Sequence, residues 1–293
     1  MKYKKAIITL IVGEKYRNSW HKLCANNWRI YADLHNYDLI CIDTPLDDSP
    51  RARSRSVAWQ KCLILSDERV KKYDRVVWID SDILINPNSP CIVSQVPDGK
   101  VGATSSFAQF LEPLPGQDQT VMNRAVEYLG WTFSNAKEYY SKARLPENFD
   151  EIVQTGVMVL SPRHHNSILE YTYHHYNNTP VGDYEMEALS YELLKADYVH
   201  WLDDRFNKLW VVCMLKDYPF LLPPKKTEIK PVRVWKRFIR GHYQLPPKGI
   251  TTSALSTAFL NSYFLHFAAV GHYMPLVKTN INSWNDISLK MRL

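Results

Sequence analysis

The chain has 293 residues and a mass of 34.2 kDa, enough for one large domain or two small ones with a sizeable core. Hydrophobic residues make up 45% and charged residues 23%, and these near-average values exclude a disordered, collagen-like or coiled-coil protein. The formal net charge is +6, a modest surplus that favours an anionic partner without requiring a nucleic acid.

The first 80 residues predict alternating strands and helices. Apolar, β-branched runs indicate strands at 6–12, 38–43 and 75–79. Between them we expect a helix over 16–35 and a basic helix from about Arg53 to Val70. This order implies parallel pairing of the three strands and a Rossmann-like half-domain.

The rest of the chain is less regular. It predicts strands at 101–107 and 152–160, and helices near 119–128, 162–176 and 186–195. Two proline-rich joints, at 221–226 and 245–248, flank a basic aromatic segment. The sequence therefore predicts a single α/β domain with an irregular C-terminal extension.

Cysteines and apolar segments bear on where the protein resides. The five cysteines are scattered and form neither a CxxC pair nor a Cys/His cluster, so we expect no zinc site and no disulfide framework. The apolar run Ala6–Val12 is too short for a signal peptide core followed by a cleavage site, and no segment approaches the roughly 20 apolar residues of a membrane span. These features favour a soluble, cytoplasmic protein.

The clearest chemical motif is Asp80-Ser81-Asp82, which follows the apolar strand 75–79 directly. Alternation along a strand places Asp80 and Asp82 on one face, at the carboxyl end where open α/β sheets bind ligands. Two neighbouring carboxylates repel each other unless a cation lies between them, and Mg²⁺ or Mn²⁺ prefers such oxygen ligands. The motif therefore predicts a divalent metal site, although a polar turn at a strand end would show the same letters.

Five segments in this order resemble the metal-dependent glycosyltransferases of the GT-A fold, similar to their galactosyl-, xylosyl- and glycogenin-like branches. The segments are Thr9–Tyr16, Arg53–Lys61, Gln154–Leu160, Trp201–Asn207 and Leu265–Ala269, and the Asp-x-Asp strand Val77–Asp82 lies between the second and the third. The resemblance implies a GT-A catalytic domain over 1–220, with a nucleotide-binding half at about 1–100 and an acceptor half at about 101–220. It further implies a C-terminal extension over 221–293 that returns His266 to the active site.

The resemblance assigns roles to individual residues. It implies that His266 completes the metal site of Asp80 and Asp82, and that the donor is a nucleotide-diphosphate sugar, for which we expect the UDP form. The residues expected to bind this donor are Thr9, Val12, Tyr16, Arg55, Lys61 and Ser81. For Arg55 and Lys61, an ordinary solvated basic face is the competing interpretation.

The residues around the reacting centre depart from the family. Retaining relatives commonly read Asp-Gln-x-x-Leu-Asn where this chain has Glu185 and Met186, so the amide is missing. Gln154 is a substitute amide, and Glu185 or Asp183 is a candidate general base for an inverting reaction. As first-turn residues of a helix, both acids would also be favoured by the helix dipole alone.

Two other functions remain open at this stage. A sugar-nucleotide pyrophosphorylase should show a glycine-rich loop after the first strand, where Gly13–Arg17 has one glycine only. A non-catalytic module that binds anions or nucleic acid would not need the Asp-x-Asp motif, and no nucleic-acid motif is present. We expect a glycan or glycoconjugate acceptor, no nucleic-acid partner, and a possible peripheral membrane contact through the basic segment. That segment contains Lys225, Lys226, Arg233, Lys236, Arg237 and Arg240.

Overall fold

The computed structural model describes residues 3–222 and 248–280. The basic C-terminal segment, including Lys225 to Arg240, lies outside the described residues. The strands are β1 (Lys5–Leu10), β2 (Asp38–Ile42), β3 (Arg75–Ile79), β4 (Ile83–Ile85), β5 (Val101–Ser105), β6 (Val153–Leu160), β7 (Val199–Trp201), β8 (Lys208–Leu209) and β9 (Phe264–His266).

Ten α-helices occur in the described ranges. They are α1 (Glu14–Leu23), α2 (Ala25–His35), α3 (Pro50–Arg53), α4 (Ser106–Leu111), α5 (Val121–Arg124), α6 (Ala136–Lys142), α7 (Pro162–His175), α8 (Glu185–Lys195), α9 (Trp210–Lys216) and α10 (Lys248–Asn261). Short 3₁₀ segments lie at Val57–Ser66, Ile92–Gln95, Asp204–Asn207, Pro219–Leu221 and Gly271–Leu276, and a π-turn lies at Ala125–Leu129. None of the helices in the described ranges combines the length and apolar character needed to cross a bilayer.

Within the part of the chain that the structure describes, the central sheet has six strands in the order β2-β1-β3-β6-β5-β7. β1 pairs in parallel with both β2 and β3, whereas β6 runs antiparallel to β3 and β5. The predicted α/β class with a mixed central sheet is confirmed, and this is the type of sheet that the GT-A resemblance implies.

The centre of the sheet is buried on both faces, and most side chains of its central strands β3 and β6 are apolar. In β3, Val77 and Ile79 pack into one core with α1 and α2, and Val76 and Trp78 pack into the other. The second core contains the apolar side chains of the 3₁₀ segment at 57–66 and of α7 and α8. Burial on both faces explains why the strand is a continuous hydrophobic run.

A second sheet of three strands, in the order β4-β9-β8, lies beyond the carboxyl end of β3. β9 pairs antiparallel with β4 and parallel with β8, so His266 has Ile83 on one side and Leu209 on the other. Through this small sheet, the C-terminal part of the chain reaches the residues that follow the Asp-x-Asp motif.

The single basic helix predicted from Arg53 to Val70 is wrong. The chain forms the short helix α3, with Ser49 as its N-cap, and then a separate 3₁₀ segment in which the Ser56 hydroxyl accepts from the backbone of Ala58. Serine side chains compete for backbone donors in this way and so interrupt helices. The long helix predicted over 16–35 is likewise two helices, which meet at Cys24.

Candidate metal and donor site

Three potential metal ligands converge where the two sheets meet. One ligand atom each from Asp80, Asp82 and His266 lies within 4.8 Å of the others. His266 is almost completely buried, whereas the side chains of Asp80 and Asp82 are 28% and 38% exposed. The cluster is therefore buried on the side of His266 and accessible to a ligand on the side of the two aspartates.

Backbone pairing fixes both aspartates. The Asp80 amide donates to the Gly156 carbonyl on β6 at 2.8 Å, and the Asp82 carbonyl accepts from the Phe267 amide at 3.0 Å. The indole of Trp78 also donates to Asp80 Oδ1 at 2.8 Å. The motif is thus built into the sheet edge and is not a free turn.

His266 Nε2 lies 3.3 Å from Asp82 Oδ1, so the two residues form an ion pair when the imidazole is protonated. Burial alone would lower the pKa of His266, but the charge of Asp82 outweighs it and raises the pKa overall. Burial likewise would raise the pKa of Asp82, and the neighbouring His266 lowers it instead. Two carboxylates and one imidazole are an oxygen-rich donor set that suits Mn²⁺ or Mg²⁺.

Lys61 is buried behind the metal cluster instead of facing solvent. Its ammonium group donates to Glu185 Oε1 at 2.5 Å and lies 3.1 Å from Asp80 Oδ1. Burial would lower the pKa of Lys61, but these two carboxylates raise it overall. The structure therefore brings Lys61 and Glu185 to the Asp-x-Asp motif as one buried ion triad with Asp80.

Glu185 is 3% exposed, and burial raises its pKa even though Lys61 acts in the opposite direction. Asp183, two residues earlier, is only partly buried and has its backbone amide bound to Glu187 Oε1 at 2.9 Å. Burial and the nearby charge of Glu187 raise the pKa of Asp183 to about 6. Between them Tyr184 has φ 58° and ψ −119°, an uncommon conformation for a residue with a side chain.

Gln154 lies on β6 with its side-chain oxygen accepting from the Gly156 amide at 2.7 Å. Gly156 is constrained by His266, because a Cβ at this position would lie 2.5 Å from His266 Cε1. The glycine at this strand position therefore makes room for the imidazole.

Three of the residues predicted to bind the donor lie at the carboxyl end of β1 or shortly after it. Thr9 is fully buried, and its hydroxyl has no hydrogen-bond partner within the described part of the chain. Val12 is partly buried just past β1, and Tyr16 is 58% exposed in the first turn of α1. Because β1 and β3 are parallel and paired at Ile8 and Trp78, the loop after β1 lies at the same sheet edge as Asp80. Ser81 is partly buried between the two aspartates.

Arg55 lies apart from this group. Its guanidinium donates to the carbonyls of Tyr173 and Tyr176 at 3.0 and 3.1 Å, at the end of α7, and stacks on the rings of Trp59 and Tyr173. A cation at a helix C-terminus is favoured by the free carbonyls there. A cleft of about 610 Å³ also opens away from the cluster, at the amino end of β3 beside Arg75 and Arg163.

Two contacts at this site have no counterpart in the sequence prediction. Asn207 Oδ1 lies 2.8 Å from His266 Nδ1, and Thr155 Oγ1 lies 3.4 Å from Lys61 Nζ. Asn207 ends the segment Trp201–Asn207 that carried part of the family resemblance, and its place there was the available signal.

No protein-family model and no curated protein matches the sequence. Solved structures similar to this chain include several glycosyltransferases. One involved in the glycosylation of the major capsid of PBCV-1 aligns over 93% of this chain and 100% of its own, at 14% identity and a TM-score of 0.49. The bifunctional glycosyltransferase WbbM, in its apo structure, aligns over 100% of this chain and 52% of its own, so that this chain spans about half of WbbM, at 13% identity and a TM-score of 0.48.

A third similar structure is the galactosyltransferase LgtC in complex with donor and acceptor sugar analogues. It aligns over 96% of this chain and 99% of its own, at 11% identity and a TM-score of 0.42. Because these TM-scores are all below 0.5, the function is inferred from this chain's own side chains.

Proposed function

We propose that this protein is a glycosyltransferase that moves a sugar from a nucleotide-diphosphate donor, a UDP-sugar, to a hydroxyl of a glycan or glycoconjugate. The observation that carries the proposal is the convergence of Asp80, Asp82 and His266 at the carboxyl edge of a mixed sheet. Such an edge is where open α/β sheets bind nucleotides, and the donor set suits a divalent cation.

Departure of a nucleoside diphosphate leaves negative charge that must be neutralised. A bound Mn²⁺ or Mg²⁺ supplies a Lewis acid for that charge when held by Asp80, Asp82 and His266. The partial exposure of both aspartates keeps the outer side of the cluster open to the diphosphate. In this proposal Val12 and Tyr16, which follow β1, bind the nucleoside, and the fully buried Thr9 supports them from within β1. Ser81 lies next to the phosphates.

Lys61 has a different role in this proposal from that of a phosphate ligand. Its side chain is 5% exposed, and its ammonium already contacts two carboxylates. We therefore assign Lys61 and Glu185 to fixing the position and charge of Asp80. The Arg55 contacts at the end of α7 favour a structural role for that residue.

Among the three residues expected to act at the reacting centre, Asp183 best suits a general base. A base works best when its pKa lies close to the working pH and when it can be reached by the acceptor. Asp183 has a pKa raised to about 6 and is partly exposed, whereas Glu185 is buried against Lys61 and the oxygen of Gln154 is bound within β6.

The test is release of nucleoside diphosphate from a panel of nucleotide sugars, with Mn²⁺ and after metal removal. We expect at least one donor, a UDP-sugar, to be turned over only with metal. Asp82→Asn should reduce turnover by about 10²-fold or more, because a ligand for the cation is lost. Asp118→Asn, in the exposed loop before α5, is the matched control and should leave it unchanged. Turnover that is equal in Asp82→Asn and the wild type, or that needs no metal, would contradict the proposal.

A further inference from the structure

We propose that Asn207 is a positioning residue that fixes the proton of His266 on Nδ1 and thereby directs the Nε2 lone pair at the space between Asp80 and Asp82. The proposal rests on the metal site of the proposed function. It concerns a residue outside that ligand set, identified by its contact with the buried imidazole.

The small sheet imposes the contact between these residues. Asn207 immediately precedes β8, and the β8–β9 register pairs Leu209 with His266. On the other side of β9, His266 is paired with Ile83, which directly follows Asp82. Three distant chain segments are therefore tied together so that the imidazole has Asp82 at one nitrogen and Asn207 at the other.

The geometry distinguishes the two ring nitrogens. Nδ1 lies 2.8 Å from Asn207 Oδ1, while Nε2 lies 3.3 Å from Asp82 Oδ1. An amide oxygen can only accept a hydrogen bond, so the contact with Asn207 favours a hydrogen on Nδ1, whereas the Asp82 carboxylate favours one on Nε2 as long as no cation lies there. With a cation between the carboxylates, the neutral ring keeps its hydrogen on Nδ1 and its lone pair on Nε2, which is the nitrogen that faces them. Partners of this kind commonly orient metal-binding histidines and raise the affinity of the site.

Gly156 and Asn207 together leave the ring little freedom. The space beside β6 is so tight that a Cβ at Gly156 would lie 2.9 Å from His266 Nδ1. His266 is 3% exposed and Asn207 is fully buried, so water cannot readily replace the amide oxygen as a partner. Loss of this acceptor would leave a buried N–H without a hydrogen bond, or would let the proton move to Nε2.

The NH₂ group of the Asn207 side chain makes the inference testable. Its Nδ2 has no hydrogen-bond partner among residues 3–222 and 248–280, so only the acceptor oxygen is used. Asn207→Asp therefore retains the working contact, whereas Asn207→Leu removes it at similar size. A purely structural role for the amide would not favour aspartate in this way, because a buried carboxylate is itself costly.

The first measurement is Mn²⁺ binding to the full chain by calorimetry, without nucleotide. We expect Asn207→Leu to raise the dissociation constant for Mn²⁺ by about 10- to 100-fold. The dissociation constant of Asn207→Asp should stay within about 3-fold of that of the wild type. Ser190→Ala, which removes a buried side chain bound to the Val153 amide at 2.8 Å, is the control and should leave the constant unchanged. Equal weakening in both Asn207 variants, or none in Asn207→Leu, would overturn the proposal.

The second measurement reads the proton position directly, in metal-free protein labelled with ¹⁵N-histidine. At a pH where His266 is neutral, the fraction of its ring with hydrogen on Nδ1 should be larger in the wild type than in Asn207→Leu, where only the Asp82 carboxylate, which favours hydrogen on Nε2, remains as a partner. The signals are identified by their loss in His266→Gln. An unchanged Nδ1–H fraction in Asn207→Leu would overturn the proposal. Neither measurement uses a sugar donor, so metal binding without any donor turnover would refute the proposed function and leave this inference standing.

Discussion

The buried triad of Lys61, Glu185 and Asp80 gives the sharpest prediction about stability. Lys61 and Glu185 are 5% and 3% exposed, and their charged atoms are 2.5 Å apart. Lys61→Met leaves a buried carboxylate without its partner, which costs about 3–5 kcal/mol of unfolding free energy in comparable sites. Replacing both partners by apolar residues of similar size is often close to neutral, so Lys61→Met with Glu185→Leu should recover most of that loss.

The assay is urea unfolding at pH 7.5 of the wild type, both single variants and the double variant, without metal. We expect the loss of unfolding free energy in the double variant to be smaller than the sum of the two single losses by at least about 2 kcal/mol, because the two residues interact directly. The exposed pair of Lys71 and Glu68, 2.6 Å apart with side chains 50% and 85% exposed, is the control. Its removal should cost less than about 1 kcal/mol because solvent screens it. Additive losses at Lys61 and Glu185 would refute the buried triad.

Two further predictions concern the neighbours of the site. Gly156→Ala places a Cβ 2.5 Å from His266 Cε1, so the imidazole must move. The affinity for Mn²⁺, measured by calorimetry, should therefore fall by about 10-fold or more. An unchanged affinity would contradict the close contact between Gly156 and His266. Because the folded state raises the pKa of Asp183 from 3.8 to about 6, it binds this proton more tightly than the unfolded chain. Ionisation of Asp183 should therefore lower unfolding free energy by about 1.4 kcal/mol between pH 5 and pH 7.5. Urea unfolding at the two pH values should show a smaller decrease of the unfolding free energy in Asp183→Asn and the full decrease in Asp118→Asn. An equal decrease in the two variants would contradict the raised pKa of Asp183.

Much of the fold could be predicted because its signals are local. The strands before and after the Asp-x-Asp motif are apolar runs, a pattern that is typical of strands buried on both faces. The predicted helix from Arg53 failed for an equally local reason. Ser49 and Ser56 offer hydroxyls to the backbone and start two short segments in place of one long helix.

The partners within the site could not be predicted in the same way, because they depend on tertiary contacts. Lys61 and Glu185 are 124 residues apart in sequence, and each alone matches an ordinary surface charge. In the fold Lys61 is buried against Trp78 and Asp80 and pairs with Glu185, so both residues belong to a buried ion triad and not to a solvated surface. Asn207 likewise becomes informative only when the β8–β9 register places it beside His266.

The central claim, that Asp80, Asp82 and His266 hold one divalent cation, is tested most directly by Mn²⁺ binding to the full chain. Titration followed by electron paramagnetic resonance should show a single bound Mn²⁺ in the wild type and in Asp118→Asn. Asp82→Asn should bind it at least about 10- to 100-fold more weakly, since one of three side-chain ligands is lost. Equal Mn²⁺ affinity in Asp82→Asn and the wild type would contradict the account.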